Sequence, residues 1–198
     1  MDAKRILLTG LLVVSISPST PTTAGLQSID AAPVHTMTSI SADQANLIAW
    51  GLDLYAAAGL ELPGIDFVGY ADRTNCRERS GMHVWHKGRS EIRLCMEAIR
   101  PAHDWLILHE LAHAWDRNQL TDGRRQEFLE LRGLDEWRDG NWQERGAEHA
   151  AEIIVWGLMD RPVRPGHLGS NSSCADLHTG YVTLTQAEPL YGYTDVCG

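Results

Sequence analysis

The segment 109–113 reads His-Glu-Leu-Ala-His, an H-E-x-x-H sequence that lies inside an apolar run of the chain. Residues at positions i and i+4 share one face of an α-helix, so a helix here would place both histidines side by side. The neighbouring leucines, alanines and tryptophans would surround that polar face, as in a buried helix. Because Pro101 and Asp104 suit the first turn of a helix, the pattern predicts a buried helix over about 102–119.

Two imidazoles on one helix face are ligands that Zn²⁺ accepts at about 2.0–2.1 Å. From its position after the first histidine, Glu110 could reach a zinc-bound water and take its proton as the water attacks a carbonyl. The motif therefore predicts His109 and His113 as zinc ligands and Glu110 as general base, the chemistry of a zinc-dependent peptidase. The alternative is an ordinary amphipathic helix that carries two surface histidines and a glutamate.

Length and charge narrow the class of protein further. A chain of 198 residues predicts one domain with a real core. Its net charge of −9 argues against nucleic acid or an anionic membrane as the main partner. A peptide or protein substrate is the partner that the motif predicts.

The first 24 residues have the composition of a secretory signal peptide. Lys4 and Arg5 precede an apolar stretch over 6–16 that is too short to span a membrane, and small residues follow it. Cleavage after Ala24 would give a secreted or periplasmic protein with no stable membrane insertion, whereas a retained anchor is the alternative. Residues 25–40 are expected to be a flexible leader, and residues 41–198 a single metallopeptidase-like domain.

Four cysteines accord with export. An even count in an exported chain predicts two disulfides, for which three pairings exist. We expect Cys76–Cys95 and Cys174–Cys197, because each pair closes a local loop. The chain has no C-x-x-C spacing, which argues against a cysteine zinc site or a thioredoxin-like redox centre.

Hydrophobic periodicity and turn residues predict a helix, then a small sheet, then further helices, an α+β arrangement. The expected strands are 65–70 and a hairpin over 81–95 that turns at Lys87-Gly88. The expected helices are 42–58, 102–119, 123–133, 142–159 and 175–185.

A catalytic zinc needs a third protein ligand and an open position for water. Glu144, Glu148 and Glu152 recur at four-residue spacing, so they share nearly one face of the predicted helix over 142–159. Small and apolar neighbours predict that this face is partly buried, and buried acids need a partner. A metal ion with its histidines would be such a partner, and the candidates for its third ligand are Glu148, Glu144 and the neighbouring His149.

The H-E-x-x-H motif followed by Glu148-x-x-Ala-Glu152 on a later helix resembles the gluzincin metallopeptidases. The small ImmA/IrrE-type peptidases and the catalytic domain of anthrax lethal factor share this plan. The resemblance covers residues 41–160 and implies a zincin-like fold, in which a small antiparallel or mixed sheet packs against both helices. It also implies one Zn²⁺ per chain, with Glu148 as third ligand and Glu152 accepting the ring N–H of a ligand histidine.

For several other residues the sequence does not select a single role. Asp116, three residues after His113, is a second candidate for supporting a ligand ring, with a solvated helix-end acid as the alternative. His83 and His86 are expected to be surface or packing residues, because a strand points positions i and i+3 to opposite faces. No motif selects an oxyanion-stabilising residue among the downstream candidates, which are Tyr181, Tyr191, Tyr193, His167 and His178.

The alternative function is a non-enzymatic exported binding protein on a peptidase-like scaffold.

Overall fold

The computed structural model describes residues 34–96, 98–161, 168 and 173–191, and the predicted signal peptide lies outside them. The strands are β1 (Thr36–Thr38), β2 (Ile65–Gly69), β3 (Gly81–His86) and β4 (Arg89–Leu94). The helices in the described residues are α1 (Ala42–Ala57), α2 (Ala102–Gln119), α3 (Asp122–Arg132), α4 (Gly146–Leu158) and α5 (Cys174–Thr185). Short 3₁₀ turns occupy Thr74–Cys76 and Trp142–Glu144. The chain therefore combines helices with a small sheet, as predicted.

The four described strands form one mixed sheet in the order β1-β2-β4-β3. Strand β2 pairs in parallel with β1 and β4, whereas β3 pairs antiparallel with β4. Lys87 and Gly88 join β3 to β4, and both have positive φ, at 49° and 79°. A two-residue turn of this kind matches the twist of a hairpin. The predicted hairpin is confirmed, and it leaves β3 at one edge of the described sheet.

Strand β1 lies inside the segment predicted to be a flexible leader. It pairs with β2 through Thr36 and Asp66, and the Thr36 hydroxyl also donates to the Asp66 carboxylate at 2.7 Å. All three residues of β1 are exposed, and three residues are too few for their alternation to predict a strand. Backbone pairing to a neighbouring strand forms this element.

Helix α2 has the bounds predicted for it and lies in the core. Ile107, Leu108 and Leu111 are fully buried. The Tyr55 hydroxyl of α1 donates to the Leu108 carbonyl at 2.9 Å. A Cβ on Gly51 would lie 3.0 Å from Leu111, so this glycine lets α1 approach α2 closely. The helix that carries the H-E-x-x-H motif is thus packed closely against α1. None of the described helices is long and apolar enough to cross a membrane.

The predicted helix over 142–159 is interrupted. Residues 142–144 form a 3₁₀ turn, Arg145 is extended at φ −83° and ψ 127°, and α4 begins at Gly146. A Cβ on Gly146 would lie 2.7 Å from both Leu129 and Trp137, so this helix start packs tightly against its neighbours. Glu144 consequently does not share a continuous helix face with the two glutamates that follow.

The Cys76–Cys95 disulfide is confirmed, with its Cα atoms 6.1 Å apart. It joins the 3₁₀ turn before β3 to the residue after β4. Cys197 lies outside the described residues, so the pairing of Cys174 with it stays a prediction.

Close packing of α4 against α5 predicts a strong effect at Gly157. A Cβ there would overlap the ring of Tyr181, which is fully buried. We expect Gly157→Ala to lower the free energy of unfolding by about 1–3 kcal/mol, because an overpacked core must shift to accept the methyl group. Gly123→Ala in α3 is the matched control, since nothing lies within 4 Å of its Cβ. Urea unfolding should show a lower midpoint for Gly157→Ala alone, and equal midpoints for the two variants would contradict this packing.

Candidate metal centre

Two helices bring three potential metal ligands together. Helix α2 places His109 and His113 one turn apart, and α4 places Glu148 opposite them. The Nε2 atom of His109 lies 3.2 Å from Glu148 Oε2 and 3.2 Å from His113 Nε2. The third side of this triangle, from His113 Nε2 to Glu148 Oε2, measures 3.5 Å.

These separations fit a small metal ion. A tetrahedral ion with bonds of about 2.0–2.1 Å sets its ligand atoms roughly 3.3–3.4 Å apart, which agrees with all three sides of the triangle. Two imidazole nitrogens and one carboxylate oxygen are also a donor set found at catalytic zinc. The group of His109, His113 and Glu148 could therefore hold a metal ion.

Burial and mutual hydrogen bonding set the charge of each ligand. Burial lowers the pKa of His109, and the neighbouring His113 lowers it further, against the opposing effect of Glu148. Burial alone would lower the pKa of His113, but its interaction with Glu148 raises it above the ordinary value. Burial alone would raise the pKa of Glu148, yet hydrogen bonds from both histidines hold it far below the usual range. Glu148 is thus an ionised carboxylate, the form that binds a metal.

Glu110 lies beside this group and is 7% exposed. Its Oε2 atom accepts the backbone N–H of His83 at 2.6 Å, which anchors the carboxylate between α2 and the edge strand β3. Its negative charge is near enough to raise the pKa of both histidine ligands. The structure therefore places Glu110 next to the three candidate ligands but outside their triangle.

Aromatic side chains hold the two ligand rings from outside. The Trp105 ring lies 4.6 Å from the His109 ring between centroids, at an interplanar angle of 30°. The His83 ring is stacked on His113 at 6.2 Å. The two ligand rings meet edge to face at 88°. These ring contacts fix the orientation of the two imidazoles.

Asp116 is buried, so it is not the solvated acid considered as an alternative. Its carboxylate accepts hydrogen bonds from Arg125 at 3.1 Å, Trp137 at 3.2 Å and Arg138 at 2.7 Å. Its charge raises the pKa of His113, but no hydrogen bond joins the two side chains in the described part of the chain. Asp116 ties α3 and the segment before α4 to the H-E-x-x-H helix.

Glu152 is 1% exposed, one turn after Glu148 on α4. Neither of its carboxyl oxygens, nor Nδ1 of His109, has a partner in good hydrogen-bonding geometry among the described residues. The predicted contact between Glu152 and a ligand ring is therefore not formed in this structure. Burial raises the pKa of Glu152 to about 7, although the Trp105 side chain is close enough to pull it down.

The raised pKa of Glu152 predicts how the stability of the metal-free protein depends on pH. Between about pH 4.5 and 7 the folded chain keeps a proton that the unfolded chain has released. Stability conferred by this group therefore falls as pH rises through that window. The Glu152→Gln side chain does not ionise, so its stability should not fall in this way. Between pH 5 and pH 8 we expect the free energy of unfolding of this variant, measured in urea, to rise by about 1–3 kcal/mol relative to that of wild type. A constant difference between the two proteins would contradict the raised pKa.

The sequence predicted a surface or packing role for His83, but the structure places this residue beside His113 and Glu110. Burial, together with the nearby His113, Arg138 and Arg117, lowers its pKa to about 3. Its Nε2 atom lies 3.1 Å from the Ser90 hydroxyl, which orients the ring. The sequence feature that could have indicated this location is the predicted strand that carries His83, which was expected to pack near the H-E-x-x-H helix.

Two of the downstream oxyanion candidates lie elsewhere. Tyr181 is fully buried in the core against Gly157, and His178 pairs with Glu188 at 2.8 Å on the surface. His167 and Tyr193 lie outside the described residues.

Two cavities flank the metal ligands. One of about 450 Å³ adjoins His109 and Glu110, and another of about 180 Å³ adjoins His113 and Glu148. Glu144 lines a different cavity, beside the segment that follows α3. No protein-family model matches this chain, and no curated protein or solved structure matches it significantly either.

Proposed function

We propose that this protein is an exported zinc-dependent peptidase. The observation that carries the proposal is the triangle of His109, His113 and Glu148, with Glu110 anchored beside it by the His83 N–H. The nitrogen and oxygen donors and their tetrahedral spacing favour Zn²⁺ over Ca²⁺ or Mg²⁺, which prefer all-oxygen sites. Three protein ligands leave one position open, as a catalytic site needs.

The chemistry divides between the ion and Glu110. Zn²⁺ held by these ligands would polarise a peptide carbonyl and lower the pKa of a water molecule to about 7. Glu110 uses Oε2 to accept the His83 N–H, which leaves Oε1 to take a proton from the attacking water. The same carboxyl then donates that proton to the departing amine. Because Glu110 is buried, its charge acts with little screening by solvent.

The edge of β3 that does not pair with β4 supports a peptide as the substrate. The His83 N–H points outward from the sheet to Glu110, so the N–H groups of Gly81 and Trp85 face the same way by strand alternation. The His83 N–H is already bonded to Glu110, so an extended peptide that paired with this edge would use the N–H groups on either side of it and lie beside the metal ligands. Trp85 is 43% exposed and would border the path of the peptide. The Arg117 guanidinium lies over its ring, 4.7 Å from the ring centroid.

The relation to gluzincins and the exported location belong to the same proposal. The described fold supports the resemblance, since an H-E-x-x-H helix, a later glutamate helix and an edge strand all meet at one site. The Cys76–Cys95 disulfide supports a location in an oxidising compartment.

The experiment that tests the proposal is hydrolysis of a random peptide library by the zinc-loaded protein without residues 1–24. Products are identified by mass spectrometry, with Glu110→Gln protein as the inactive comparison. We expect discrete cleavage products that a chelator abolishes and added zinc restores. Absence of any product with zinc bound would contradict the peptidase proposal.

A further inference from the structure

The two cavities beside the metal ligands differ in chemistry. The larger one has mainly apolar walls that include Trp105, Leu106 and Trp142, although Arg79 and His103 also line it. The smaller one is lined by Arg138 and Arg145 together with the ligands His113 and Glu148. A substrate that crosses the site would therefore meet an apolar wall on one side and two guanidinium groups on the other.

The cationic character of the smaller cavity stands out in a chain whose net charge is −9. Arg145 donates from two nitrogens to the Gly140 carbonyl, and no ion pair of the described residues involves it. Arg138 gives one nitrogen to Asp116 at 2.7 Å and is 40% exposed. Glu148, the acid in this cavity, is the proposed ligand of a divalent ion, which would neutralise its charge. Each arginine thus retains N–H donors for a carboxylate.

Strand direction relates these cavities to the two ends of a bound peptide. Gly81 lines the apolar cavity and His83 lines the cationic one, so β3 runs from the first to the second. Antiparallel pairing is the more stable of the two orientations per residue, and a peptide that pairs with β3 in this way runs in the opposite direction. Its residue before the scissile bond then reaches the arginines, and its residue after the bond reaches the apolar cavity.

We propose that Arg138 and Arg145 form a specificity subsite for an acidic side chain immediately before the scissile bond. A volume of about 180 Å³ accommodates an aspartate or glutamate side chain. Guanidinium groups bind carboxylates through charge-assisted hydrogen bonds, which discriminate against the neutral amide of the same shape. The inference rests on the proposed peptidase function, and it adds the class of substrate.

The test uses three quenched fluorescent peptides that differ only before a Leu residue, where they carry Glu, Gln or Lys. For the zinc-loaded wild type we expect kcat/KM for Glu to exceed that for Gln by about tenfold or more. Arg145→Gln should remove most of this preference, Arg145→Lys should retain part of it, and Arg145→Glu should favour the Lys peptide. Arg89→Gln is the control, because Arg89 pairs with Asp66 and lines neither cavity, so its preference should match wild type.

Binding of the same peptides to zinc-loaded Glu110→Gln protein, followed by fluorescence anisotropy, separates this inference from the peptidase proposal. Tighter binding of the Glu peptide, lost on adding Arg145→Gln, supports the subsite even if wild type hydrolyses nothing. Equal kcat/KM and equal affinity for Glu and Gln in wild type overturn it. A preference for Glu only when the acid follows the scissile bond overturns it as well.

Discussion

The Glu110→Gln protein is expected to bind zinc as wild type does and to hydrolyse peptides at least about 10²–10⁴-fold more slowly. Glutamine has the shape of glutamate, and its amide oxygen can still accept the His83 N–H that now reaches Glu110 at 2.6 Å. It cannot accept a proton from water, so the general base alone is lost. The measurement is kcat/KM on a cleaved library peptide, beside zinc content per chain.

The matched control for this variant is Glu127→Gln, which makes the same chemical change at an exposed position of α3. It should hydrolyse the peptide at the wild-type rate. Full activity in Glu110→Gln protein would rule out Glu110 as the base. A wild-type protein that holds zinc yet cleaves no peptide would instead favour the non-enzymatic binding protein considered as the alternative.

Replacing Glu148 should empty the metal site. Glu148→Ala leaves two histidines as ligands, and we expect zinc affinity to fall by more than about 100-fold, beyond the loss typical of outer-sphere partners. Glu144→Ala should keep about one zinc per chain, because Glu144 lies before Arg145 and lines another cavity. Zinc content after dialysis against a weak chelator, measured on wild type and both variants, separates the two glutamates.

Thermal unfolding gives a second measurement of the same prediction. An ion that binds only the folded chain stabilises it by about 4 kcal/mol at 1,000 times its Kd. A strong chelator should therefore lower the melting temperature of wild type and of Glu144→Ala, but not that of Glu148→Ala. Equal zinc content in the two variants, or a wild-type midpoint that ignores both zinc and chelator, would contradict Glu148 as a ligand.

Local patterns predicted the elements whose stability depends on nearby residues. The bounds of α2 follow from apolar residues at helical spacing, and those of α1 follow in the same way to within one residue. Lys87-Gly88 predicted the hairpin because few residues adopt positive φ without a cost. Strand β1 and the interruption at Arg145 escaped prediction, since one depends on pairing with β2 and the other on tight packing of Gly146.

In the candidate site, too, local spacing predicted some residues, and tertiary contacts placed the others. His109 and His113 are neighbours because a helix brings i and i+4 together, so the motif alone places both on one face. Resemblance, not spacing, favoured Glu148 over Glu144, and the break before α4 separates these two glutamates in space. The partners of Asp116 come from other elements and could not be read from its spacing to His113.

The sequence by itself determined the helix that carries the motif, the hairpin, one local disulfide and the two histidines of the candidate metal group. Each of these depends on interactions between residues close in the chain. Only the tertiary structure decided that Glu148 meets His109 and that His83 anchors Glu110. These contacts span 39 and 27 residues, so they form only when packing of the core closes the intervening loops.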